Sequence, residues 1–568
     1  MRDAPGQPAF PPRRIPALLC SIALAGCAGA RVDSTPPEVS APDDPVLCSA
    51  AGPANPSWHH RAVGYEVFVR SFQDSDGDGI GDLKGLAQRL DYLNDGDDAT
   101  ADDLGIDLLW LMPIAASPSY HGYDVTDYDR VNPAYGTDAD LQDFLVRAHA
   151  RGIRVITDLV LNHSSDAHPW FADARRSRAS AHRDWYVWSD SFLAWQRPWG
   201  GGPVWIPFGD AWYYALFWGG MPDLNWQNPS LRARMLDTAR GWLGRGLDGF
   251  RLDAARYLVE DGPGAGQADT AGTHEVLRDL RAATDAARPG SLLVGEIWEK
   301  PEVVAPYLSG KDGPELQAAF DFDLAQAVKD GILNGDGAGV RAALCSRLQA
   351  FPPEAATGVF LSNHDQARVA TVLQDRGDAA LRLAATVLMT VPGTPWIYYG
   401  EEIGMRNGPT PDDMDKRRPM QWDDGPNAGF TGAGEAWWPP QAASRPSTVA
   451  GQSDDPDSLL SWYRRLVQMR RAHPALSSGS TALLDPAGMP PGTVVLRRQG
   501  GGETLWVAWS FADSPVPLTL PAAFLGSTTR FTDLLAGTSH SRSAVSSPLS
   551  LGVLSARGAA VLAPQEPR

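Results

Sequence analysis

The stretch "DADLQDFLVRAHARGIRVITDLVLNH", residues 138–163, decides the fold because it runs from an amphipathic helix directly into a continuous apolar strand. Apolar residues first recur at helical spacing and then fill nearly every position of "IRVITDLVL". A strand that is apolar on both faces is buried on both sides, as in a parallel sheet that helices cover. This unit therefore predicts an α/β protein.

The same alternation of strands and helices extends over most of the chain. Further strand-like segments are "VGYEVFVRSF", "IDLLWLMPI", "LDGFRLDAARY", "GSLLVGEIWEK", "GVFLSNHDQAR" and "GTPWIYYGEEIGM". Helical patterns such as "LKGLAQRLDYLND" and "PSLRARMLDTARGWLGRG" lie between them. With about eight such units, closure into a (β/α)8 TIM barrel is the natural solution. We assign the barrel to residues 57–163 and 221–476.

Two regions depart from this alternation. Residues 164–220 are too long for an ordinary loop and predict an inserted irregular subdomain. Its tryptophans can serve packing or sugar stacking, and the sequence does not assign them individually: Trp170, Trp185, Trp188, Trp195, Trp199, Trp205, Trp212 and Trp218. Residues 477–568 contain short alternating segments such as "ETLWVAWSF", which predict a C-terminal antiparallel β-sandwich domain.

The N-terminus has the order of an export signal. Arg13 and Arg14 precede the apolar run "IPALLCSIALAGC", which is too short to span a bilayer as a helix. The run ends in "LAGC", residues 24–27, which resembles a bacterial lipobox and implies cleavage before Cys27 and lipid attachment there. A plain secretory signal is the alternative. We therefore expect a signal peptide at 1–27, a disordered tether at 28–56, and an exported protein anchored by lipid to a bacterial membrane, periplasmic or at the cell surface.

Charge and cysteine content narrow the possible partners. The net charge of -19 argues against nucleic acid and against electrostatic binding to an anionic membrane, and it fits a neutral ligand or a cation. Apart from the two cysteines of the signal region, the chain has Cys48 and Cys345. They can pair or remain free thiols, and spacing does not decide between the two.

Acidic residues stand at the ends of several predicted barrel strands, where barrel enzymes place their catalytic groups. They are Asp253 in "GFRLDAARY", Glu296 in "GEIW" and Asp365 in "NHD". Arg251 and Asp253 are two residues apart on a strand, so both side chains point to the same face. Three strand-end acids with such neighbours are hard to explain as stability devices, and they indicate a catalytic site.

These motifs resemble those of the α-amylase family of glycoside hydrolases, of the family 13 type. The resemblance rests on "DLVLNH", "GFRLDAARY", "GEIW" and "FLSNHDQAR", supported by "HGYDVTDY", "MPDLN" and "GTPWIYYGEEIGM", in the family's order from about residue 62 to 476. "MPDLN" is similar to a group intermediate between the oligo-1,6-glucosidase and neopullulanase subgroups. The resemblance implies a retaining hydrolase.

A retaining glycosidase needs one ionised and one protonated carboxyl group. Asp253 beside Arg251 suits the nucleophile because a guanidinium favours the charged form, and Glu296 beside Ile297 and Trp298 suits the acid/base. The family resemblance gives both residues these roles and makes Asp365 the stabiliser of the positively charged transition state.

The resemblance also implies a set of residues around the cleaved sugar. His163 and His364 match the family's donors to the sugar, Tyr123 matches its stacking platform, and Asp124 can hold the hydroxyls of a terminal sugar. Arg251 and Arg368 complete the predicted substrate-binding set. We interpret Asn162, Asp158 and Asn363 as supports behind it.

A separate constellation, "DSDGDGIGD" at residues 74–82, resembles a first-loop calcium site of oligosaccharide-cleaving family members. The predicted ligands of a structural Ca²⁺ are Asp74, Asp76, Asp78, Ile80 and Asp82. The usual Glu at the twelfth loop position is missing. A second family calcium site takes a carbonyl from Lys-His after the nucleophile; here the pair is Arg256-Tyr257, which leaves that second ion open.

We expect hydrolysis of α-1,4 links in starch-like glucans and maltooligosaccharides, with Ala254 after the nucleophile as in α-1,4-cleaving members. The alternatives are an exo-acting α-glucosidase or oligo-1,6-glucosidase, suggested by Asp124 and "RPMQWDDGPNAGF", and a transglycosylase such as a trehalose-forming isomerase. A non-enzymatic sugar-binding relative would tend to lose the three acids. We expect a monomer whose contact with membranes is limited to a lipid anchor at Cys27.

Overall fold

The computed structural model describes residues 45–97, 99–442 and 445–565. Eight parallel strands close into a barrel, in which each strand pairs with the next along the chain and the last pairs with the first. In chain order they are Gly64–Val67, Leu108–Leu111, Arg154–Leu159, Gly249–Leu252, Leu292–Gly295, Ala318–Phe320, Ala356–Phe360 and Thr394–Tyr398. The predicted TIM barrel is confirmed.

Helices surround the barrel. The longer ones are Asp138–Ala150, Pro229–Gly244, Ala271–Ala287, Pro301–Ser309, Phe322–Asn334, Ala338–Ala350, Asp378–Thr390 and Leu459–Ala472. The shorter α-helices are Trp58–Arg61, Leu83–Gln88, Leu90–Leu93, Pro169–Ala174, Val369–Val372, Asp413–Lys416, Val449–Gln452, Pro474–Ser478 and Ala522–Leu525. The 3-10 helices are Val69–Ser71, Pro133–Tyr135, Arg183–Trp185, Gly264–Gln267, Gln374–Arg376, Glu401–Ile403, Pro426–Gly429 and Arg445–Ser447.

The helix of the opening stretch begins at a capping box. The Thr137 hydroxyl accepts from the Asp140 N–H, and the Asp140 carboxylate accepts from the Thr137 N–H. After the helix, Gly152 has a φ of +77°, a left-handed conformation that glycine adopts without strain. This turn reverses the chain into strand Arg154–Leu159, so the local sequence sets both ends of the connection.

Large side chains fill the barrel interior. Trp110 packs against Phe320 and Trp396, with ring centroids 5.3 and 6.0 Å apart. Gly64 leaves room for Trp396, because a Cβ at that position would lie 2.4 Å from the indole ring. The interior is therefore a packed core, and polar chemistry is confined to the rims.

The insert after the third strand contains a three-stranded antiparallel sheet, made of Trp188–Ser189, Trp205–Phe208 and Ala211–Tyr214. A bridge between His163 and Asp223 fastens its base to the barrel rim. Trp205 is 4% exposed and packs inside the insert, whereas Trp218 is 47% exposed. A two-stranded sheet of Ala115–Ala116 and Asp127–Val131 lies in the preceding loop.

The C-terminal domain consists of two antiparallel sheets around one core that includes Trp506, Leu518 and Phe531. The seven-stranded sheet runs in the order Val46–Ala50, Ser480–Leu484, Thr493–Gly500, Glu503–Ser510, Ala559–Pro564, Arg530–Asp533 and Ser539–Ser541. The two-stranded sheet is Val516–Leu520 with Leu549–Leu554. This agrees with the predicted β-sandwich.

The predicted tether at 28–56 is wrong at its C-terminal end. Residues Val46–Ala50 form a strand that pairs antiparallel with Ser480–Leu484, and Cys48 forms a disulfide with Cys345 on helix Ala338–Ala350. Long-range strand pairing and the disulfide order this segment, and the sequence showed neither. The predicted signal peptide, the lipobox at Cys27 and residues 28–44 lie outside the described residues. Within the described ranges no helix is long and apolar enough to cross a membrane.

Candidate active site

Arg251, on the fourth barrel strand, lies at the centre of a cluster of carboxylates. Its Nη1 donates to Asp253 Oδ1 at 2.6 Å and also to Asp158, and its Nη2 lies 2.8 Å from Glu296 Oε2. The guanidinium is 1% exposed. Burial opposes its charge, but Asp158 and Glu296 hold the pKa of Arg251 above its ordinary value. Strand alternation thus brings Arg251 and Asp253 together, as predicted.

Glu296 follows the fifth strand and shares the second nitrogen of that guanidinium. Burial raises the pKa of Glu296 to about 7; Arg251 opposes the rise, and the charges of Asp253 and Asp365 add to it. The Ala254 N–H donates to Glu296 Oε2 at 3.1 Å. Ala254 has a φ of +49°, which is unusual for a residue with a side chain and marks local strain at this turn. Glu296 is therefore placed to hold a proton near neutral pH.

Asp365 follows the seventh strand and has the opposite electrostatic setting. Its Oδ1 accepts from Arg417 Nη2 at 2.9 Å, and its Oδ2 lies 3.0 Å from His364 Nε2. Burial favours the neutral acid, but the charges of His364 and Arg417 lower the pKa of Asp365 well below its usual value. The His364 ring is itself held protonated: burial lowers its pKa, and Asp365 and Glu66 together raise it to about 10.

Tyr123 forms a floor between these groups. Its ring stacks on His364, with centroids 5.6 Å apart and planes 15° apart, and its hydroxyl lies 2.7 Å from His364 Nε2. Behind it, Trp110 Nε1 donates to Asp158 Oδ2 at 2.6 Å. Burial raises the pKa of Asp158 to about 6, against the charge of Arg251. Asp158 acts here as the support that the sequence predicted.

His163 presents a free ring nitrogen. Its Nδ1 lies 3.0 Å from Asn162 Oδ1, while its buried Nε2 has no partner within the described residues. Burial lowers the pKa of His163, so the ring is neutral. The Tyr123 backbone favours the protonated ring, against the effect of burial, and the role of His163 as a donor to the sugar stays a prediction.

Asp124 is buried beside His163, where its negative charge favours the protonated ring and partly offsets the effect of burial. Its Oδ1 accepts from Ser117 Oγ at 2.6 Å and from the Ser119 hydroxyl. These bonds fix the carboxylate on the side of the site that Tyr123 and His163 share.

Arg368 does not join the cleft, so its prediction as a substrate-binding residue is not supported. It is 1% exposed and donates to the carbonyls of Lys416 and Tyr399, at 2.9 and 2.6 Å. Its role in the structure is to hold the loop that carries Arg417. Arg417 itself was missed by the sequence reasoning, although "KRRPMQW" contains it; no pattern there marks it as the partner of Asp365.

The predicted calcium loop brings three of its carboxylates together. One oxygen each of Asp74, Asp76 and Asp78 lie within 4.8 Å of one another. Gly77, with a φ of +84°, lies between Asp76 and Asp78, and Gly79, with a φ of +89°, follows Asp78. Clustered carboxylate oxygens on a tight loop fit the ligand preferences of Ca²⁺.

The other two predicted ligands of the calcium loop are placed differently. Asp82 accepts from the Ser75 N–H at 2.7 Å and caps helix Leu83–Gln88 through Gly85. Asp74 likewise accepts from the N–H groups of Gly77 and Gly79. The Ile80 N–H donates to Asp78 Oδ1 at 2.7 Å, and its carbonyl stays a predicted ligand.

At the position of the family's second calcium site, the protein's own side chains and carbonyls bond to one another. The Tyr257 carbonyl accepts from Asn162 Nδ2 at 2.5 Å. Arg256 pairs with Asp269 and with Glu299, the latter at 2.7 Å. The Tyr257 carbonyl therefore already accepts a hydrogen bond from Asn162, which follows the third barrel strand.

Comparison with known proteins points to one family. The family model "Alpha amylase, catalytic domain" matches residues 66–479. Alpha-amylase 3 of Dictyoglomus thermophilum is 37% identical over 431 residues, which cover 75% of this chain and 80% of that protein. Trehalose synthase/amylase TreS of Mycobacterium tuberculosis is 34% identical over 537 residues, covering 85% and 87%. The crystal structure of alpha-amylase from H. orenii superposes with a TM-score of 0.77 at 36% identity, covering 89% of this chain and 99% of that one.

The family model covers more than half of the chain, and the relatives match most of its length. The protein belongs to the α-amylase family, and it is a glycoside hydrolase of that family's (β/α)8 type.

Proposed function

We propose that this protein is a retaining hydrolase of α-1,4-glucosidic bonds in starch-like glucans and maltooligosaccharides. The observation that carries the proposal is that the carboxyl groups of Asp253 and Glu296 both contact the Arg251 guanidinium. Asp253 bonds one nitrogen and Glu296 the other, and burial raises the pKa of Glu296 to about 7. Two neighbouring carboxyl groups, one of which holds a proton near neutral pH, are the parts that retention requires.

The first chemical step follows from these positions. Asp253 Oδ attacks the anomeric carbon while Glu296 transfers its proton to the departing glycosidic oxygen, which leaves a covalent glycosyl-enzyme and ionised Glu296. In the second step Glu296 takes a proton from water, the oxygen bonds to the anomeric carbon, and Asp253 is released. The sugar is thereby returned in the α configuration, and both carboxyl groups regain their starting states.

The remaining residues bind the sugar as its ring distorts. Ionised Asp365 offers negative charge near the developing oxocarbenium centre, and Arg417 and His364 hold it in place. Tyr123 supplies an aromatic face, and the Nε2 of His163 is placed to hydrogen-bond a sugar hydroxyl. These contacts stabilise the distorted sugar ring more than the undistorted one, so they favour the transition state over the bound substrate.

Two alternatives within the family use the same machinery. Buried Asp124 beside His163 suits recognition of a terminal sugar, which would make the enzyme an exo-acting α-glucosidase or oligo-1,6-glucosidase. The similarity to a trehalose synthase/amylase favours, as second candidate, transfer of the glucosyl group to sugar instead of water. The first-choice hydrolase rests on the higher identity to an alpha-amylase.

A product profile separates these functions. The protein is incubated with starch, maltotetraose, maltose, isomaltotriose and pullulan, and the products and their initial anomer are recorded. Mixed α-anomeric maltooligosaccharides from starch support the proposal. Glucose alone, fastest from short substrates, or trehalose from maltose would replace it by the corresponding alternative. Asp253→Asn should abolish turnover but retain sugar binding, and the exposed Asp330→Asn serves as control; an active Asp253→Asn protein would refute the mechanism.

We also propose that the loop of Asp74, Asp76 and Asp78 binds a structural Ca²⁺, supported by the convergence of the three carboxylates. Calorimetric titration with CaCl₂ should show binding that Asp76→Asn weakens.

Export and a lipid anchor at Cys27 remain part of the proposal from the sequence. Radiolabelled palmitate should enter the wild-type protein but not Cys27→Ser, and a monomer is expected by light scattering.

A further inference from the structure

A pocket of about 80 Å³ lies on the barrel rim opposite the carboxylate cluster. It is lined by residues at the N-terminal ends of strands Ala356–Phe360 and Thr394–Tyr398, and by residues 50–53, 477–479 and 481 at one end of the strand pair Val46–Ala50 and Ser480–Leu484. Barrel, N-terminal strand and C-terminal sheet therefore all contribute to its wall. This position is remote from the groups that act on the sugar.

Two buried arginines line the pocket. Arg347 is 3% exposed; its Nη1 reaches Asp321 Oδ2 at 3.4 Å, and its Nη2 has no hydrogen-bond partner within the described residues. Arg498 is fully buried and, among the residues that the structure describes, donates only to carbonyls, those of Thr390 at 3.1 Å and Gly479 at 3.4 Å. The two guanidiniums thus meet one carboxylate and retain unused donors.

A third guanidinium, that of Arg470, adds to this positive charge, and the Asp107 carboxylate offsets part of it. Arg470 is fully buried and donates to the carbonyls of Met389 and Gly393, the latter a residue of the pocket wall. Burial, together with the charges of Arg470 and Arg347, lowers the pKa of Arg498. Buried charge without a counter-charge is costly, and a pocket beside it is the place where a counter-ion is most favourable.

We propose that this pocket binds a small inorganic anion, with chloride as the ion it holds. Arg347 Nη2 and the Arg498 guanidinium would donate to the ion, and its charge would offset the surplus left after Asp321 has paired with Arg347. The ion would also connect helix Ala338–Ala350, which carries Arg347 and the disulfide cysteine Cys345, to strand Thr493–Gly500, which carries Arg498. The site would therefore fasten the C-terminal domain to the barrel.

The first test locates the ion directly. Crystals of the full chain are grown or soaked in sodium bromide, and anomalous diffraction is measured at the bromine edge. A peak within hydrogen-bonding distance of Arg347 and Arg498 is expected. A pocket that contains only water in bromide overturns the proposal, and this result needs no variant that must fold.

The second test measures whether chloride binding stabilises the folded protein. The melting temperature of the full chain should rise with the logarithm of chloride concentration, with gluconate used to keep the ionic strength constant. Arg498→Met should lose this dependence, whereas Arg530→Met, which removes an exposed arginine of the same domain, should keep it. An equal rise in chloride and gluconate, or an unchanged chloride dependence in Arg498→Met, contradicts the proposal.

Discussion

Glu296 should make the folded protein less stable as the pH rises. The pKa of its carboxyl group is raised from 4.5 to about 7, mainly by burial, so the folded state binds this proton more tightly than the unfolded chain does. The contribution to stability is complete below about pH 4.5 and is lost as the pH passes through 7. With about 1.4 kcal/mol for each pKa unit, the loss amounts to about 3 kcal/mol.

The perturbation that isolates this term is Glu296→Gln. Glutamine has the shape of the protonated acid and stays neutral, so the variant should resemble the wild type at low pH. At about pH 8 it should be more stable by up to about 3 kcal/mol, because no buried carboxylate has to form. Arg251 keeps Asp158 and Asp253 as partners in the variant, so the substitution does not leave that cation alone.

Urea unfolding at about pH 5 and pH 8, followed by tryptophan fluorescence, measures the difference between the two proteins. Glu302→Gln, at an exposed position, is the matched control. Its free energy of unfolding relative to the wild type should be the same at both pH values. A Glu296→Gln variant whose stability relative to the wild type is the same at both pH values would refute the assignment of the proton to Glu296. A gain at pH 8 together with lost hydrolysis would show that the catalytic acid reduces stability in order to act.

Three further outcomes follow from the structure. The kcat/KM for maltotriose should fall about tenfold per pH unit above about pH 7 as Glu296 ionises, whereas α-glucosyl fluoride, whose leaving group needs less protonation, should show a shallower fall; equal slopes would contradict the acid role. Asp74→Asn should lower both calcium affinity in titration calorimetry and the melting temperature in calcium, and a wild-type melting temperature indifferent to EDTA would argue against the ion. Cys48→Ser/Cys345→Ser, which opens a separation of 297 residues, should lose roughly 4 kcal/mol of stability in urea, and dithiothreitol should act on the wild type alone.

The barrel and the three acids of the site could be predicted because the sequence patterns that indicate them are local. Continuous apolar strands announce burial on both faces, and the two-residue spacing of Arg251 and Asp253 places them on one face without any knowledge of the rest of the chain. Glu296 and Asp365 follow strands of the same kind, and parallel strands end at the same rim. Secondary structure alone therefore brings the three acids together.

The features that the sequence did not reveal depend on distant contacts. Strand Ala318–Phe320 has three residues and runs almost directly into helix Phe322–Asn334, so no strand period develops. Strand Val46–Ala50 exists through its pairing with Ser480–Leu484. Arg417 meets Asp365 from 52 residues away, and Arg368 was assigned to the sugar although its neighbours turn it toward backbone carbonyls. Patterns of period two or 3.6 carry no information about such partners.

Burial and the neighbouring charges also explain why Glu296 keeps a proton near neutral pH. Asp253 and Asp158 share one nitrogen of Arg251, and Asp158 has Trp110 in addition. Asp365 pairs with Arg417 and with a protonated His364, which also pair with Asp413 and Glu66 respectively. Glu296 has the other nitrogen of Arg251 and one backbone N–H, while the charges of Asp253 and Asp365 act against its ionisation. Burial and these two charges outweigh the bonds of Glu296, so its carboxyl group holds a proton near neutral pH, as the acid of the proposed mechanism requires.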